Sequence, residues 1–362
     1  MTSHFSHQKN SLKGSLLTSP KSVSNLEHSP LKSSSQTISA ARGGKLSMRI
    51  HVVIPAYKVE NHILHLLPRI GAEIEQIWVV DDKCPNGSGK LVEKKNKDKR
   101  VKVLFNSENL GVGGAVSAGY QAALAAGADV VVKLDGDGQM FPEDIPTLLK
   151  PILLGEADYT KGNRFDSLDD LYQMPKIRIF GNAVLSFWSK LSSGYWSVTD
   201  PTNGFTAIHR AVLERVELAK LSQKFFFESD LLFRLNLAGA VVEDVALPAR
   251  YGDEKSNLKI RKVIFEFPWK FTKNQLKRVF YRYYLREFSI ASFELPLGVL
   301  LTGFGAWFGL NSYLTASEAG RATTAGQATI ASLAIILGVQ LLLSFLSYDI
   351  QSEPKIPKQR RY

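Results

Sequence analysis

Two rhythms of apolar residues divide the chain. From Arg49 to about Asp135 they come in short runs: Ile50-His51-Val52-Val53-Ile54-Pro55, Gln76 to Asp82, Val101 to Phe105 and Val130 to Leu134. Runs of this length, rich in Val and Ile and without polar alternation, predict strands buried on both faces. A helical stretch separates the first two, and an alanine-rich helix opening at Gly111 to Gly114 separates the last two. Strands alternating with helices predict an α/β domain built on a mostly parallel sheet.

The second rhythm is continuous. Leu295 to Leu314 and about Ala328 to Tyr348 carry no charged residue, and each is near the roughly 20 residues that cross a bilayer. The linker between them holds only Glu318 and Arg321 as charges, whereas Lys273, Lys277, Arg278, Arg282 and Arg286 precede the pair and Lys355, Lys358, Arg360 and Arg361 follow it. That bias predicts a transmembrane hairpin with both termini cytoplasmic; buried core helices of a soluble domain are the competing reading. Gly298, Gly303, Gly305 and Gly309 would permit close helix packing, and hence a homo-oligomer held through the hairpin. Ahead of it, Lys and Arg interleave with Phe265, Phe267, Trp269, Phe271, Phe280, Tyr281, Tyr283 and Tyr284, a pattern suited to the headgroup layer. Residues 176–196 form another amphipathic segment, open to a membrane-surface role or to that of an ordinary helix with a core face.

Residues 1–47 are rich in Ser, Lys, Asn and His and lack an apolar period, so they predict a disordered tail without a secretory signal. The expected division is therefore a tail at 1–47, an α/β domain at 48–256, a basic amphipathic segment at 257–292, the hairpin at 293–350 and a basic tail at 351–362. An apolar fraction of 44% over 362 residues allows a substantial core, and the single cysteine, Cys84, excludes a disulfide framework and a cysteine-rich zinc site. The formal charge of +11 asks for an anionic partner. Because the basic excess at 255–286 and 355–361 flanks the apolar stretches, that partner is expected to be a lipid bilayer rather than nucleic acid.

The chemistry gathers at strand ends. Asp135-Gly136-Asp137-Gly138-Gln139 follows the fourth strand, at the edge where open α/β sheets place ligands. Two carboxylates there make a hard oxygen site suited to Mg2+ or Mn2+ bridging a diphosphate; an acidic turn is the alternative. Asp81-Asp82 ends the second strand, and Pro55-Ala56-Tyr57 ends the first with Glu60 close behind. Tyr57 can stack on a nucleobase while Asp82 accepts hydrogen bonds from base or ribose. Asn109 to Ala115 lets backbone approach a ligand, although no Gly-Lys-Ser/Thr follows to make it a phosphate-binding loop.

Taken together, Pro55-Ala56-Tyr57 with Glu60, Val80-Asp81-Asp82, Asn109 to Gly119, Asp135 to Gln139, Gly162-Asn163-Arg164, Asp200 to Phe205 and Phe227-Glu228-Ser229-Asp230 resemble the inverting GT-A-type family 2 glycosyltransferases. Within them the likeness is to the dolichol-phosphate mannose synthase-like and bacterial polyprenyl-phosphate enzymes. The resemblance implies a Rossmann-like GT-A domain that moves a sugar from a nucleotide-diphosphate donor to a polyprenyl phosphate. It assigns Pro55, Ala56, Tyr57, Glu60, Asp82, Asp135 and Gly113 to the nucleotide, and Asp137, Gln139 and Asp135 to the metal. Asp200 and Arg164 would be catalytic, Asp200 as base or orienting group, with a capping Asp before Pro201 as the alternative. Arg164, Arg178, Arg250 and Lys255 would meet the lipid phosphate. Glu228 and Asp230 stay open between first-turn acids of a helix and groups positioning the acceptor.

Two rivals remain at this level. Gln275-Leu276-Lys277-Arg278-Val279 resembles the Gln-x-x-Arg-Trp motif of processive polysaccharide synthases, with Val279 in place of the tryptophan. A catalytically inactive, membrane-anchored nucleotide-sugar-binding module is the other.

Overall fold

The computed structural model describes residues 48–164, 176–247 and 260–361. The predicted tail 1–47, Arg250 and Lys255 lie outside the described residues, as does the side chain of Arg178. Seven strands, β1 (Ile50–Ala56), β2 (Gln76–Asp81), β3 (Val101–Phe105), β4 (Val130–Lys133), β5 (Tyr159–Asn163), β6 (Thr206–His209) and β7 (Val242–Ala246), form one sheet in the order β3-β2-β1-β4-β6-β5-β7. Only β6 is antiparallel to its neighbours. The carboxyl ends of the other six therefore share one edge, and the reversed β6 brings its amino end, after Asn203-Gly204-Phe205, to that same edge.

The helices are α1 (Ile63–Leu66), α2 (Ser88–Lys95), α3 (Val112–Ala125), α4 (Ile145–Leu153), α5 (Lys176–Ser193), α6 (Arg210–Leu213), α7 (Phe227–Ala238), α8 (Ile260–Phe280), α9 (Ala291–Glu318) and α10 (Ala325–Gln351). β1 shows why its run is uninterrupted: Val52 and Ile54 enter a core with Leu148 and Ile152 of α4, and Val53 enters the opposite one with Tyr120 of α3 and Leu231 of α7. A strand covered on both faces has no solvent side to mark with polar residues. α3 lies so close that a Cβ on Gly119 would stand 2.3 Å from Val53 Cγ1.

α8 packs on the sheet domain rather than lying free. Phe226, Phe267 and Phe271 meet edge to face with centroids 5.0 to 6.1 Å apart. Phe271 and Tyr283, expected at the headgroup layer, are buried, while Trp269, Phe280 and Tyr281 are exposed as expected. The helix turns one aromatic face to the domain and the other outward, a split that residue type alone does not reveal.

Arg278 corrects the reading of the flanking cations. It is 1% exposed, and its Nη1 and Nη2 donate to Asp349 Oδ1 and Oδ2 of α10 at 2.7 and 2.9 Å. Nε and Nη2 also donate to Ser192 O and Leu191 O at the end of α5. Tyr283 and Trp196 add hydrogen bonds to the same carboxylate at 2.5 and 3.3 Å. One buried ion pair thus clamps α5, α8 and α10.

α9 and α10 are 28 and 27 residues long, apolar enough to cross a membrane, and only 11% and 22% of their most apolar stretches is buried. They are therefore not helices of the chain's own buried core. α10 starts at a capping box between Thr324 and Gln327. The small residues are used within the hairpin: a Cβ on Gly298 would stand 3.0 Å from Gly338 O, one on Gly305 2.8 Å from Ala331 O, and one on Gly309 3.1 Å from Ala331 Cβ. Gly303 alone of the four predicted packing glycines has nothing within 4 Å.

The basic tail is also docked, not loose at a membrane surface. Lys358 N and Gln359 N donate to the carboxylate of Asp158 at 2.8 and 2.9 Å, and Gln359 Nε2 donates to Ile152 O. Asp158 precedes β5, so this contact lies at the sheet edge opposite the carboxyl ends.

Removing Asp349 would leave Arg278 charged and unpaired in the interior, a loss of about 3–5 kcal/mol for a buried pair broken on one side. Asp349→Ala is expected to lower the melting temperature in detergent sharply. The double variant Arg278→Met with Asp349→Leu should recover most of that loss, and a double variant as unstable as the single one would contradict the assignment.

Candidate active site

The carboxyl edge is shaped first by loops that its own acids hold. Asp81 accepts from Cys84 N at 2.7 Å and Gly89 N at 2.6 Å, and Asp82 accepts from Asn106 Nδ2, Leu110 N and Gly111 N at 2.7 to 2.9 Å. Asp82 is buried, so in this form its carboxylate fixes the loop from Asn106 to Gly111. Glu60 accepts from Asn86 Nδ2 and, at 3.3 Å, from Ser88 Oγ, and the Asn86 bond holds its pKa below the usual glutamate value. Tyr57 is left exposed between these loops. The residues following Tyr57 and Asp82, Lys58 and Lys83, take left-handed φ values of 59° and 52°, conformations that bulky residues adopt at a cost and that gather at functional edges. Beside them a cavity of about 240 Å³ is lined by Lys83, Cys84, Lys90 and Phe105.

At the end of β4, Asp135 and Asp137 flank Gly136, half-buried. Asp137 Oδ1 accepts from Gln139 N at 3.0 Å, and Gly138, at φ 81°, closes the turn. Gln139 is exposed. Lys133, one turn of strand earlier, is buried, and its Nζ lies 2.8 Å from Asp135 Oδ1 and 3.4 Å from Glu228 Oε1. Burial lowers its pKa, but Asp135 and Glu228 more than reverse this, so it stays a cation. Gly204 makes the approach possible: a Cβ there would stand 2.3 Å from Lys133 Nζ and 2.6 Å from Asp135 Oδ2.

β5 and the segment before β6 add the second half. Arg164 Nε and Nη2 donate to Asp200 Oδ2 and Oδ1 at 2.8 and 3.3 Å, and Thr202 Oγ1 donates to Oδ1 at 3.2 Å. Asp200 is wholly buried while the Arg164 side chain is 38% exposed. Lys161 Nζ, also buried, donates to Asn203 O. The sequence reading missed Lys133 and Lys161 as site residues. Both are lysines inside strands, and a lysine in a fully covered strand must have charged or carbonyl partners, a signal present in the sequence.

The open choice at the start of α7 resolves into two roles. Glu228 turns toward Lys133 and the site. Asp230 accepts from Ser222 N, Arg234 Nε and Asn274 Nδ2, holding a loop and α8 to the domain. Gly113, expected against a nucleotide, is instead packed on protein: its N–H donates to Gln223 O at 2.8 Å, and a Cβ would meet Ser222 O at 2.1 Å. Pro55 and Ala56 end β1 at this edge.

A metal fits this edge in a limited way. Among the described residues no group of three or more His, Cys, Asp and Glu gathers to hold an ion. Asp135 and Asp137 offer a two-carboxylate set, which suits a hard cation that completes its shell with phosphate and water oxygens rather than a preformed protein cage.

Residues 51–217 match the model of glycosyl transferase family 2, ending before α7 and the hairpin. The UDP-N-acetylglucosamine–dolichyl-phosphate N-acetylglucosaminyltransferase of Methanococcus voltae is 30% identical over 179 residues, 46% of this chain and 71% of that protein. The polyprenol monophosphomannose synthase of Mycolicibacterium smegmatis is 31% identical over 204 residues, 54% of this chain and 76% of that protein. Among solved structures, glucosyl-3-phosphoglycerate synthase from Mycobacterium tuberculosis with uridine diphosphate aligns at a TM-score of 0.49 and 19% identity, over 70% of this chain and 86% of that one. With the two relatives 30% and 31% identical over more than two thirds of their own length, the chain is a glycosyltransferase of family 2, one of its dolichol-phosphate mannose synthase-like members.

Proposed function

We propose that this glycosyltransferase moves a sugar from a nucleotide diphosphate to a polyprenyl phosphate at a membrane surface, with inversion at the anomeric carbon. The observation that carries the reading is that one sheet edge carries Asp135 and Asp137, after β4, and the Arg164–Asp200 ion pair, after β5 and before β6. The first suits the donor's diphosphate and the second an anionic acceptor. The names of the relatives, which act on dolichyl phosphate or make a polyprenol phosphosugar, support the acceptor class.

Asp137 and Asp135 would hold Mg2+ or Mn2+, with Gln139 beside them; such an ion neutralises charge on a departing nucleoside diphosphate. Lys133 keeps Asp135 in place, and Tyr57 offers its exposed ring to the base. Arg164, oriented from behind by Asp200, faces the acceptor phosphate as a charge-assisted donor. A phosphate near neutral pH is already ionised, so no base is needed, and a buried carboxylate paired to an arginine is better suited to orient than to accept a proton. Arg178, Arg250 and Lys255 are proposed as further phosphate contacts.

The hairpin would cross the membrane with both ends on one side, since the segment leading into α9 and the tail leaving α10 both pack on the sheet domain, and the basic flanks make that side the cytoplasmic one. This also weakens the processive-synthase reading: Arg278 of the Gln-x-x-Arg-Val stretch is committed to Asp349.

Transfer of labelled sugar from a panel of nucleotide sugars to undecaprenyl or dolichyl phosphate in detergent tests the reading. Product is expected only with Mg2+ or Mn2+, and Asp137→Ala should lower it by about 100-fold or more, the scale of losing electrostatic stabilisation of a leaving charge. Nucleotide binding without transfer from any donor would favour the binding-module alternative. Arg164→Lys is expected to raise the acceptor KM more than it lowers kcat, because a point charge replaces a fork; an unchanged KM would remove Arg164 from the acceptor site.

Lys161 gives a pH prediction. Burial pushes its pKa down to about 8 from an ordinary 10.5, with Glu228 and Asp200 opposing. Between those values the unfolded chain binds a proton that the folded one has released, so the contribution of this group to stability rises with pH across that window. Lys161→Met lacks this contribution. The melting temperature of the variant minus that of the parent is expected to fall as pH goes from about 7.5 to 10, and a constant difference would mean that Lys161 titrates normally.

A further inference from the structure

A cavity of about 340 Å³ lies away from the active edge, between the carboxyl end of α7, the π-helical turn Tyr281–Arg286 and the chain after α10. Its wall includes Arg282, Arg286, Lys355 and Lys358 against two acids, Glu287 and Glu353. Both acids are engaged at the wall: Glu287 lies 3.7 Å from Arg282 Nε and 3.8 Å from Arg286 Nε, and Glu353 accepts from Ser197 N at 3.3 Å. Among the lining residues the cations outnumber the acids by two.

Part of this charge serves the fold, since Arg286 Nη1 donates to Leu237 O at 3.2 Å at the end of α7. A helix end carries only about half a negative charge, too little to balance the wall. Arg282 is likewise engaged, its Nη1 donating to Asn236 Oδ1 at 3.4 Å and its Nη2 to Ser352 O. Gly239, at φ 70°, keeps the space clear, for a Cβ there would stand 3.0 Å from Lys358 Nζ and 3.7 Å from Arg286 Nη2. The cavity adjoins the foot of the hairpin: Arg286 and Glu287 come just before α9 at Ala291, and Glu353 just after α10 ends at Gln351. α7, rising about 1.5 Å per residue, separates it from Glu228 by roughly three turns.

We infer that this cavity is a second anion site, which takes the phosphate of an anionic membrane lipid at the foot of the hairpin. Naming a lipid as the source rests on reading α9 and α10 as membrane spans; the recognition of phosphate does not.

The test uses the full chain in detergent, with retained lipid counted by native mass spectrometry after adding phosphatidylglycerol or phosphatidylcholine. Phosphatidylglycerol is expected to be retained in preference. Lys355→Gln, at an exposed position, and Arg286→Gln with Lys355→Gln should weaken its binding by about tenfold or more, the scale of losing a charge-assisted hydrogen bond. Arg286→Lys with Lys355→Arg should restore it, and Lys277→Gln, a cation outside the cavity, should leave it unchanged. In a second arm, inorganic phosphate that raises the melting temperature of the parent but not of Lys355→Gln, and displaces no lipid, would assign the site to free phosphate. Equal phosphatidylglycerol retention by the parent and both glutamine variants, with no response to phosphate, would overturn the inference.

Discussion

Asp349 receives four hydrogen bonds from three side chains, and two of them come from a guanidinium as deeply buried as itself. A buried ion pair adds little net stability over an apolar substitute, yet it is unforgiving of a missing partner. That asymmetry makes it a device for geometry. Arg278 has one position in which its donors reach Asp349, Ser192 and Leu191 together, so the direction of the hairpin relative to the sheet domain is fixed by hydrogen-bond geometry rather than by apolar contact that could slide.

Charge compensation governs the active edge as well. Lys133 and Lys161 bring two ammonium groups into the covered part of the sheet, where Asp135, Glu228, Asp200 and the carbonyl of Asn203 answer them. The acids on this edge divide by exposure: Asp81, Asp82 and Asp230 are buried and hold loops, whereas Asp135 and Asp137 keep partial access to solvent. A donor diphosphate would thus meet an edge whose loops are already set.

The sheet and the hairpin were legible because apolar period survives in a linear text. β1 to β4 start and end within about a residue of the expected runs, and α9 and α10 extend the two apolar stretches at both ends. Charged residues were harder to read, since a lysine or arginine in sequence carries no mark of its depth. Arg278 and Lys358 were counted as surface cations and are buried, because their partners, Asp349 and the residues around Asp158 and Gly239, are distant in the chain. Glycine marked close approach without naming the partner: Gly298, Gly305 and Gly309 pack the two apolar helices as expected, whereas Gly113 packs on the protein's own loop at Ser222 and Gln223.

The docking of the tail on Asp158 has a consequence for biogenesis. Asp158 and Lys358 are 200 residues apart, and the whole hairpin lies between them. While the chain emerges from a ribosome, the carboxylate at the start of β5 has only Val241 N of its present partners until both apolar helices and the tail after them have been made. Completion of the sheet domain is thereby made conditional on the segment that follows both apolar helices, so a copy whose tail failed to dock would show a defect at the start of β5.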